Sequence, residues 1–270
     1  MSVVLLTNNS NRGQALAHLI LKEGIDLKLV VVEDASLKTE NQPSFFTKFK
    51  LAVGPTSRAL KNRLRLSTEE RAALKYEEQS VERANARVNK FIDELGVKGR
   101  PSNVEYLETS SLNEATVITA VKNAEPDVCL VLGTSIIKKR LISIPKLGMI
   151  NAHTSILPEY RGSRSEFWQC YNQDYANVGI TIHLVDPGVD TGNVLFQLKQ
   201  EVGTNPDPNE LRANNTIATL KNYVPVLKSV LNKTAEPTKQ GAGTTPTYRF
   251  RDITEQKRIK LYRRILKNDD

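Results

Sequence analysis

Asn151 and His153 stand two residues apart at the end of the apolar run Gly148-Met149-Ile150, and the chain then breaks at Leu157-Pro158 and turns at Gly162. A primary amide is an uncharged hydrogen-bond donor, and an imidazole gains and loses a proton near neutral pH, so the pair could steady charge on an oxygen and relay a proton. A carboxylate to orient the ring has two sources in the acidic loop 186–192, Asp186 and Asp190. Each residue alone has an ordinary explanation: Asn and His cap loops, and Asp-Thr-Gly is turn chemistry. The other histidines, His18 in a helical pattern and His183 in an alternating strand, read as structural residues with satisfied ring nitrogens.

The elements that must position these groups follow from periodicity. Val3 to Thr7 is a β-branched run, the polar loop Asn8 to Gly13 follows, and Leu16, Leu19 and Ile20 recur at helical spacing before a second buried run, Leu27 to Val32. This is a βαβ unit with parallel strands. Residues 45–100 leave the pattern as a Lys- and Arg-rich insert, in which the capping box Ser67-x-x-Glu70 opens a long amphipathic helix reaching about Leu95. Its Glu69, Glu70, Glu77, Glu78 and Glu82 interleave with Arg71, Lys75 and Arg83, the pattern of a solvated helix with ion pairs along its own surface. The α/β rhythm returns with a strand at Val104 to Leu107, a helix through Ala115 and Val121, and Asp127 to Leu132, whose lack of alternation marks a central parallel strand. A turn at Gly133-Thr134-Ser135, a short helix from Ile136 to Leu141 and a strand over 148–152 follow. Asn151 and His153 therefore belong at a strand's carboxyl end, where open α/β sheets bind ligands. Further on come a helix at Glu166 to Cys170, strands at 178–184 and 194–197, a helix from Asn209 to Leu231 and a basic tail over 249–267. The expected fold class is α/β: a Rossmann-like, mostly parallel twisted sheet with helices on both faces. The expected domains are a catalytic unit over 1–205, carrying the insert 45–100, and a helical extension over 206–270.

With 270 residues and 39% hydrophobic content, the chain can bury a good core. No apolar run approaches the roughly 18 residues that would span a bilayer, and the first residues enter a strand without a basic leader, so a soluble, cytoplasmic, unprocessed protein is expected. Cys129 and Cys170 make neither metal spacing nor a disulfide framework and read as buried thiols. The net charge of +8 favours anionic partners, phosphorylated metabolites as much as nucleic acid.

Taken in order, Asn151-x-His153-x-Ser155-x-Leu157-Pro158, Tyr160-Arg161-Gly162, Gly179-x-Thr181 and Val189-Asp190-Thr191-Gly192 resemble the folate-dependent formyltransferase family. That family includes glycinamide ribonucleotide, methionyl-tRNA and sugar-nucleotide N-formyltransferases. The resemblance runs from about Val128 to Gln197, is weaker in the first strands, and is absent from the insert and the tail. It implies transfer of a formyl group from N10-formyltetrahydrofolate to a primary amine, without a metal. On this resemblance Asn151 donates to the carbonyl oxygen, His153 stabilises that oxygen or passes a proton, and Asp190 orients His153. The resemblance also implies folate contacts at Leu132, Gly133, Thr134, Val185, Asp186 and Gly188, and contacts to the acceptor or the folate glutamate at Ser155, Tyr160, Arg161 and Arg164. Phe167 and Trp168 read as core residues.

Among acceptors, the residues after Gln197 read as too few and too helical for the barrel that methionyl-tRNA formyltransferases carry, and the insert and tail exceed the compact glycinamide ribonucleotide type. The expected acceptor is the amine of a nucleotide-linked amino sugar, with glycinamide ribonucleotide as the alternative and a non-catalytic anion- or nucleic-acid-binding relative as the third reading. Nucleic acid and membrane are not expected partners, and a homodimer is left open through the basic tail.

Overall fold

The computed structural model describes residues 1–37 and 66–268, so the first part of the insert, 45–65, lies outside the described residues. Strands β1 (Ser2–Asn8), β2 (Asp26–Glu33), β3 (Glu105–Thr109), β4 (Val128–Leu132), β5 (Met149–His153), β6 (Gly179–Leu184) and β7 (Val194–Lys199) form one sheet in the order β3-β2-β1-β4-β5-β6-β7. The first five run parallel, and β6 and β7 are antiparallel to their neighbours. This is the α/β, mostly parallel sheet that the sequence implies. Because the chain moves outward from β1 to β3 and then returns to place β4 on the other side, a crevice opens at the carboxyl ends of β1 and β4.

Helices α1 (Asn11–Lys22), α3 (Ala115–Asn123) and α6 (Pro208–Leu231) cover the sheet. β4 is buried at every residue, which accounts for its unbroken apolar run. Each Val or Leu fully withdrawn from water there contributes about 1.5–3 kcal/mol. Tyr223 of α6, with no exposed surface, projects its hydroxyl between β4 and β5. That hydroxyl accepts from the Val131 N–H at 3.2 Å and faces the carbonyls of Val131 and Ile150 at 2.7 and 2.8 Å. α6 is thus bolted to the strand that leads into Asn151.

The long helix of the insert is present as α2 (Thr68–Glu94), with the capping box closed from both sides: Glu70 N–H to Ser67 Oγ at 3.2 Å, and Ser67 N–H to Glu70 Oε2 at 2.7 Å. Its charges correct the expectation of ion pairs along one helix. Arg83 and Arg87 reach Glu210 of α6, while Glu77 and Glu69 take Arg258 and Arg263 from the final helix α7 (Glu255–Asn268). The basic tail is therefore a packed helix, with Leu261, Tyr262 and Ile265 buried in one cluster with Phe167, Trp168 and Cys170 of α5 (Ser165–Asn172). The short helix after β4, α4 (Lys139–Ile142), starts later than expected because Asn113 holds Ile136 O and Lys138 N extended, at 2.9 and 2.8 Å. No described helix is long and apolar enough to cross a membrane.

Candidate active site

β5 delivers Asn151 and His153 to the crevice, and β6 pairs against it so that His183 lies directly opposite Asn151 and Thr181 opposite His153. After β5 the loop is shaped by Thr181, whose Oγ1 accepts from the Leu157 N–H at 3.0 Å and donates to the Ser155 carbonyl at 2.7 Å. The Leu157–Pro158 peptide is cis. The loop then brings the Gly162 N–H to Asp190 Oδ2 at 2.8 Å.

Four polar side chains meet here. His153 Nδ1 lies 3.4 Å from Asp190 Oδ2, and His183 Nε2 lies 3.5 Å from Asp190 Oδ1. The Asn151 amide nitrogen is 3.2 Å from His183 Nε2. His153 Nε2 faces the Tyr160 carbonyl at 2.9 Å and so carries a proton. His183 Nδ1 faces the Leu184 carbonyl at 2.8 Å and carries one too. In its neutral form His183 accepts from Asn151 through Nε2; once protonated, the same nitrogen donates to Asp190. Burial opposes ionisation of Asp190, yet the charge of His153, a hydrogen bond from His183 and the Gly162 N–H together hold its carboxyl well below the usual carboxylate range. One persistent anion thus bridges two imidazoles.

Asp190, not Asp186, is the carboxylate at the histidines; Asp186 Oδ1 caps its own turn, accepting from Gly188 N at 3.1 Å and Thr191 Oγ1 at 2.6 Å. His18 bonds the Gly99 carbonyl at 3.0 Å, a structural role. His183 is the residue that sequence reasoning missed. Its signal was its place in the alternating run Gly179-x-Thr181-x-His183, on the same face as Thr181.

The other expected contacts divide. Ser155 and Tyr160 turn inward: Ser155 is fully buried with Oγ on the Glu159 carbonyl at 2.7 Å, and Tyr160, 1% exposed, gives its hydroxyl to Asp174 at 2.9 Å and stacks on Tyr248. They hold the loop from within. Arg161 turns to the Asp190 carbonyl, Nε at 3.2 Å. Leu132 ends β4 and Gly133 and Thr134 follow it, while Val185, Asp186 and Gly188 follow β6, where the Val185 N–H bonds Met149 O at 2.7 Å. The two loops carry the exposed glycines 133 and 188 and the exposed apolar side chains Ile136 and Val189. Backbone polar groups beside apolar surface are what a flat heteroaromatic ring with amide-like edges requires.

Arg164, with φ of 61°, immediately precedes α5 as its N-cap, and the neighbouring Ser165 Oγ lies 3.3 Å from His153 Nε2. Its guanidinium sits 5.1 Å over the Phe250 ring. Although its side chain reaches solvent, loss of hydration and then the nearby Arg212 and Arg12 pull Arg164 down to about 10, with Glu166 opposing. Arg12 of α1 is lowered by the same loss of hydration and by Arg212 of α6. Arg12, Arg164 and Arg212 thus disfavour one another's charge, and Glu166, which is 2% exposed and accepts from Asn215 at 3.2 Å, offsets part of it. Arg12 and Arg212 were not legible as partners of Arg164.

Residues 48–227 match the family model described as Formyl transferase. The match takes in most of the stretch 45–100, correcting the expectation that the insert lies outside the resemblance. A methionyl-tRNA formyltransferase of Clostridium perfringens is 34% identical over 134 residues, which are 49% of this chain and 43% of that protein. The matched stretch thus spans less than half the length of that relative. Among solved structures, an N-formyltransferase from Helicobacter canadensis in complex with folinic acid and dTDP-3-aminofucose has a TM-score of 0.53 at 16% identity, over 100% of this chain and 83% of that one. A phosphoribosylglycinamide formyltransferase from Bacillus halodurans has a TM-score of 0.55 at 15% identity, over 87% and 97%. At these identities the likeness is one of fold.

Proposed function

This chain belongs to the formyl transferase family, and on that premise we propose that it transfers a formyl group from N10-formyltetrahydrofolate to the primary amine of a nucleotide-linked amino sugar. The observation that carries the reaction is the meeting of Asn151, His153, His183 and Asp190 at the carboxyl end of β5, with imidazole to carboxylate at 3.4 Å. The folate, when bound, supplies an electrophilic formyl carbon. The new bond is amine nitrogen to formyl carbon, the broken bond is formyl carbon to folate N10, and the amine proton ends on N10. Asn151 donates an uncharged N–H to the formyl oxygen as its negative charge grows, without needing to be ionised first. His153 carries the proton, held in orientation by the Tyr160 carbonyl and Asp190. Asp190 offsets the positive charge that either imidazole gains. The loops 132–136 and 185–189, with their exposed glycines and apolar side chains, are the surfaces assigned to the pterin. In this reading residues 1–205 carry the reacting groups and the extension 206–270 supplies walls to the site.

Support for an anionic acceptor comes from the excess positive charge of Arg12, Arg164 and Arg212: loss of hydration and then the nearby arginines disfavour the charged forms of Arg12 and Arg164. A phosphate or diphosphate would neutralise it with bidentate hydrogen bonds. The relative from Helicobacter canadensis, solved with a dTDP-linked amino sugar, points the same way. The test is a screen of nucleotide-linked amino sugars, glycinamide ribonucleotide and methionyl-tRNA with N10-formyltetrahydrofolate, following release of tetrahydrofolate. Turnover with a nucleotide-linked amino sugar well above the other two is expected. Preference for either of the others would replace the acceptor, and turnover with none would remove the reaction.

A further inference from the structure

Asp190 occupies the left-handed backbone region, φ 51°, without being a glycine. Such a backbone conformation is disfavoured for a residue with a Cβ and persists where its surroundings over-determine it. Those surroundings centre on one side chain far along the chain, Gln240. Its Nε2 donates to the Asp190 carbonyl at 3.0 Å and to the Gly192 carbonyl at 2.6 Å, and its Oε1 accepts from Arg161 Nη2 at 2.8 Å. Arg161 Nε donates to the same Asp190 carbonyl at 3.2 Å. The amide's two N–H groups and its oxygen are all engaged with the two loops that carry the catalytic cluster.

Gln240 is held in turn. The segment from Thr238 to Tyr248 is tied at one end by reciprocal Thr238–Val194 backbone bonds of 2.8 Å. At the other end Tyr248 N–H bonds Arg161 O at 2.9 Å and Ser163 N–H bonds Tyr248 O at 3.0 Å. Midway, the Thr244 and Thr245 backbone N–H groups grip the Glu159 carboxylate at 2.8 and 2.9 Å, and Thr245 Oγ1 accepts from Tyr160 N–H at 2.7 Å. The approach is close enough that a Cβ at Gly162 would meet the Tyr248 carbonyl at 2.1 Å. The same segment therefore fixes both groups that flank His153: the Tyr160 carbonyl on Nε2 and, through Gln240, Asp190 on Nδ1. It lies beyond residue 227, where the family match ends.

We propose that Gln240 is a positioning residue for formyl transfer: it touches no reacting atom and holds Asp190 against the two histidines by fixing the loop's carbonyls. Its kinetic part rests on the proposed reaction, whereas its structural part does not. Two readouts on Gln240→Ala test it, with Gln240→Met as an isosteric second variant that keeps bulk without hydrogen bonds, and Lys239→Ala as an exposed control. The kinetic readout is kcat against both KM values: kcat should fall about tenfold or more while each KM stays within about threefold. The second readout, independent of any acceptor, is the titration of the Asp190 carboxyl carbon by NMR, which should move to higher pH in both Gln240 variants and stay put in the control. An unmoved Asp190 titration, or an unchanged kcat, in whichever Gln240 variant folds, overturns the proposal. Absence of formyl transfer by the wild-type chain with every acceptor would instead defeat the proposed function, and the carboxyl titration alone would then decide whether Gln240 positions Asp190.

Discussion

Asp190→Asn isolates the charge of the bridging carboxylate. Asparagine tolerates left-handed backbone, and its amide oxygen can still accept from the Gly162 N–H now bonded at 2.8 Å. What disappears is one negative charge 3.4 and 3.5 Å from two imidazoles. At 3.4 Å and an effective dielectric of about 20, a full charge pair is worth about 5 kcal/mol. Only the part that grows as an imidazole gains positive charge during reaction counts towards the rate, so kcat should fall about a hundred- to ten-thousandfold, with both KM values nearly unchanged. Tetrahydrofolate release under saturating donor and acceptor reads this directly. A second signature lies in acid stability. Because the folded carboxyl is depressed below its unfolded value of about 3.9, it contributes stability above that pH and loses it as pH falls further. Melting curves from about pH 5 down to about pH 2 should therefore fall more steeply for wild type than for Asp190→Asn, with the divergence growing below about pH 4. A kcat loss under tenfold with normal folding would refute the claim that this anion serves the imidazoles during reaction.

Three further outcomes are expected. His183→Phe keeps the bulk of a 2% exposed ring but removes both nitrogens, and should lower kcat at least about tenfold in the same assay; full activity would return His183 to a purely structural role. Arg164→Ala should raise KM for a phosphorylated acceptor, more so at low salt, and leave KM for the folate alone; an effect on folate alone would reassign the cation. Tyr223→Phe leaves the buried Val131 N–H without its acceptor and should cost about 1–3 kcal/mol in denaturant unfolding with little change in KM; a neutral result would show that water replaces the hydroxyl.

Elements built from local signals were legible in the sequence. The unbroken run of β4, the capping box of α2 and the strand ending at His153 each depend on neighbours within a few residues, and all stand where expected. Asn151, His153 and Asp190 were legible because their order along the chain carries the family pattern, and the structure brings them together. His183 was not, because its role depends on the β5–β6 register that sets it opposite Asn151. The direction of the α2 ion pairs was hidden for the same reason: a helical charge pattern does not say whether Arg83 finds a partner on its own helix or on α6. Gln240 and the arginine cluster are more distant still, since each joins segments separated by dozens of residues.

The most direct measurement of the central claim is a crystal structure of this chain with a stable formyl-bearing folate. The account predicts the pterin against residues 132–136 and 185–189, with the formyl oxygen within about 3 Å of the Asn151 amide or the His153 ring. Density for the folate elsewhere, with its formyl group remote from Asn151, His153, His183 and Asp190, would contradict it.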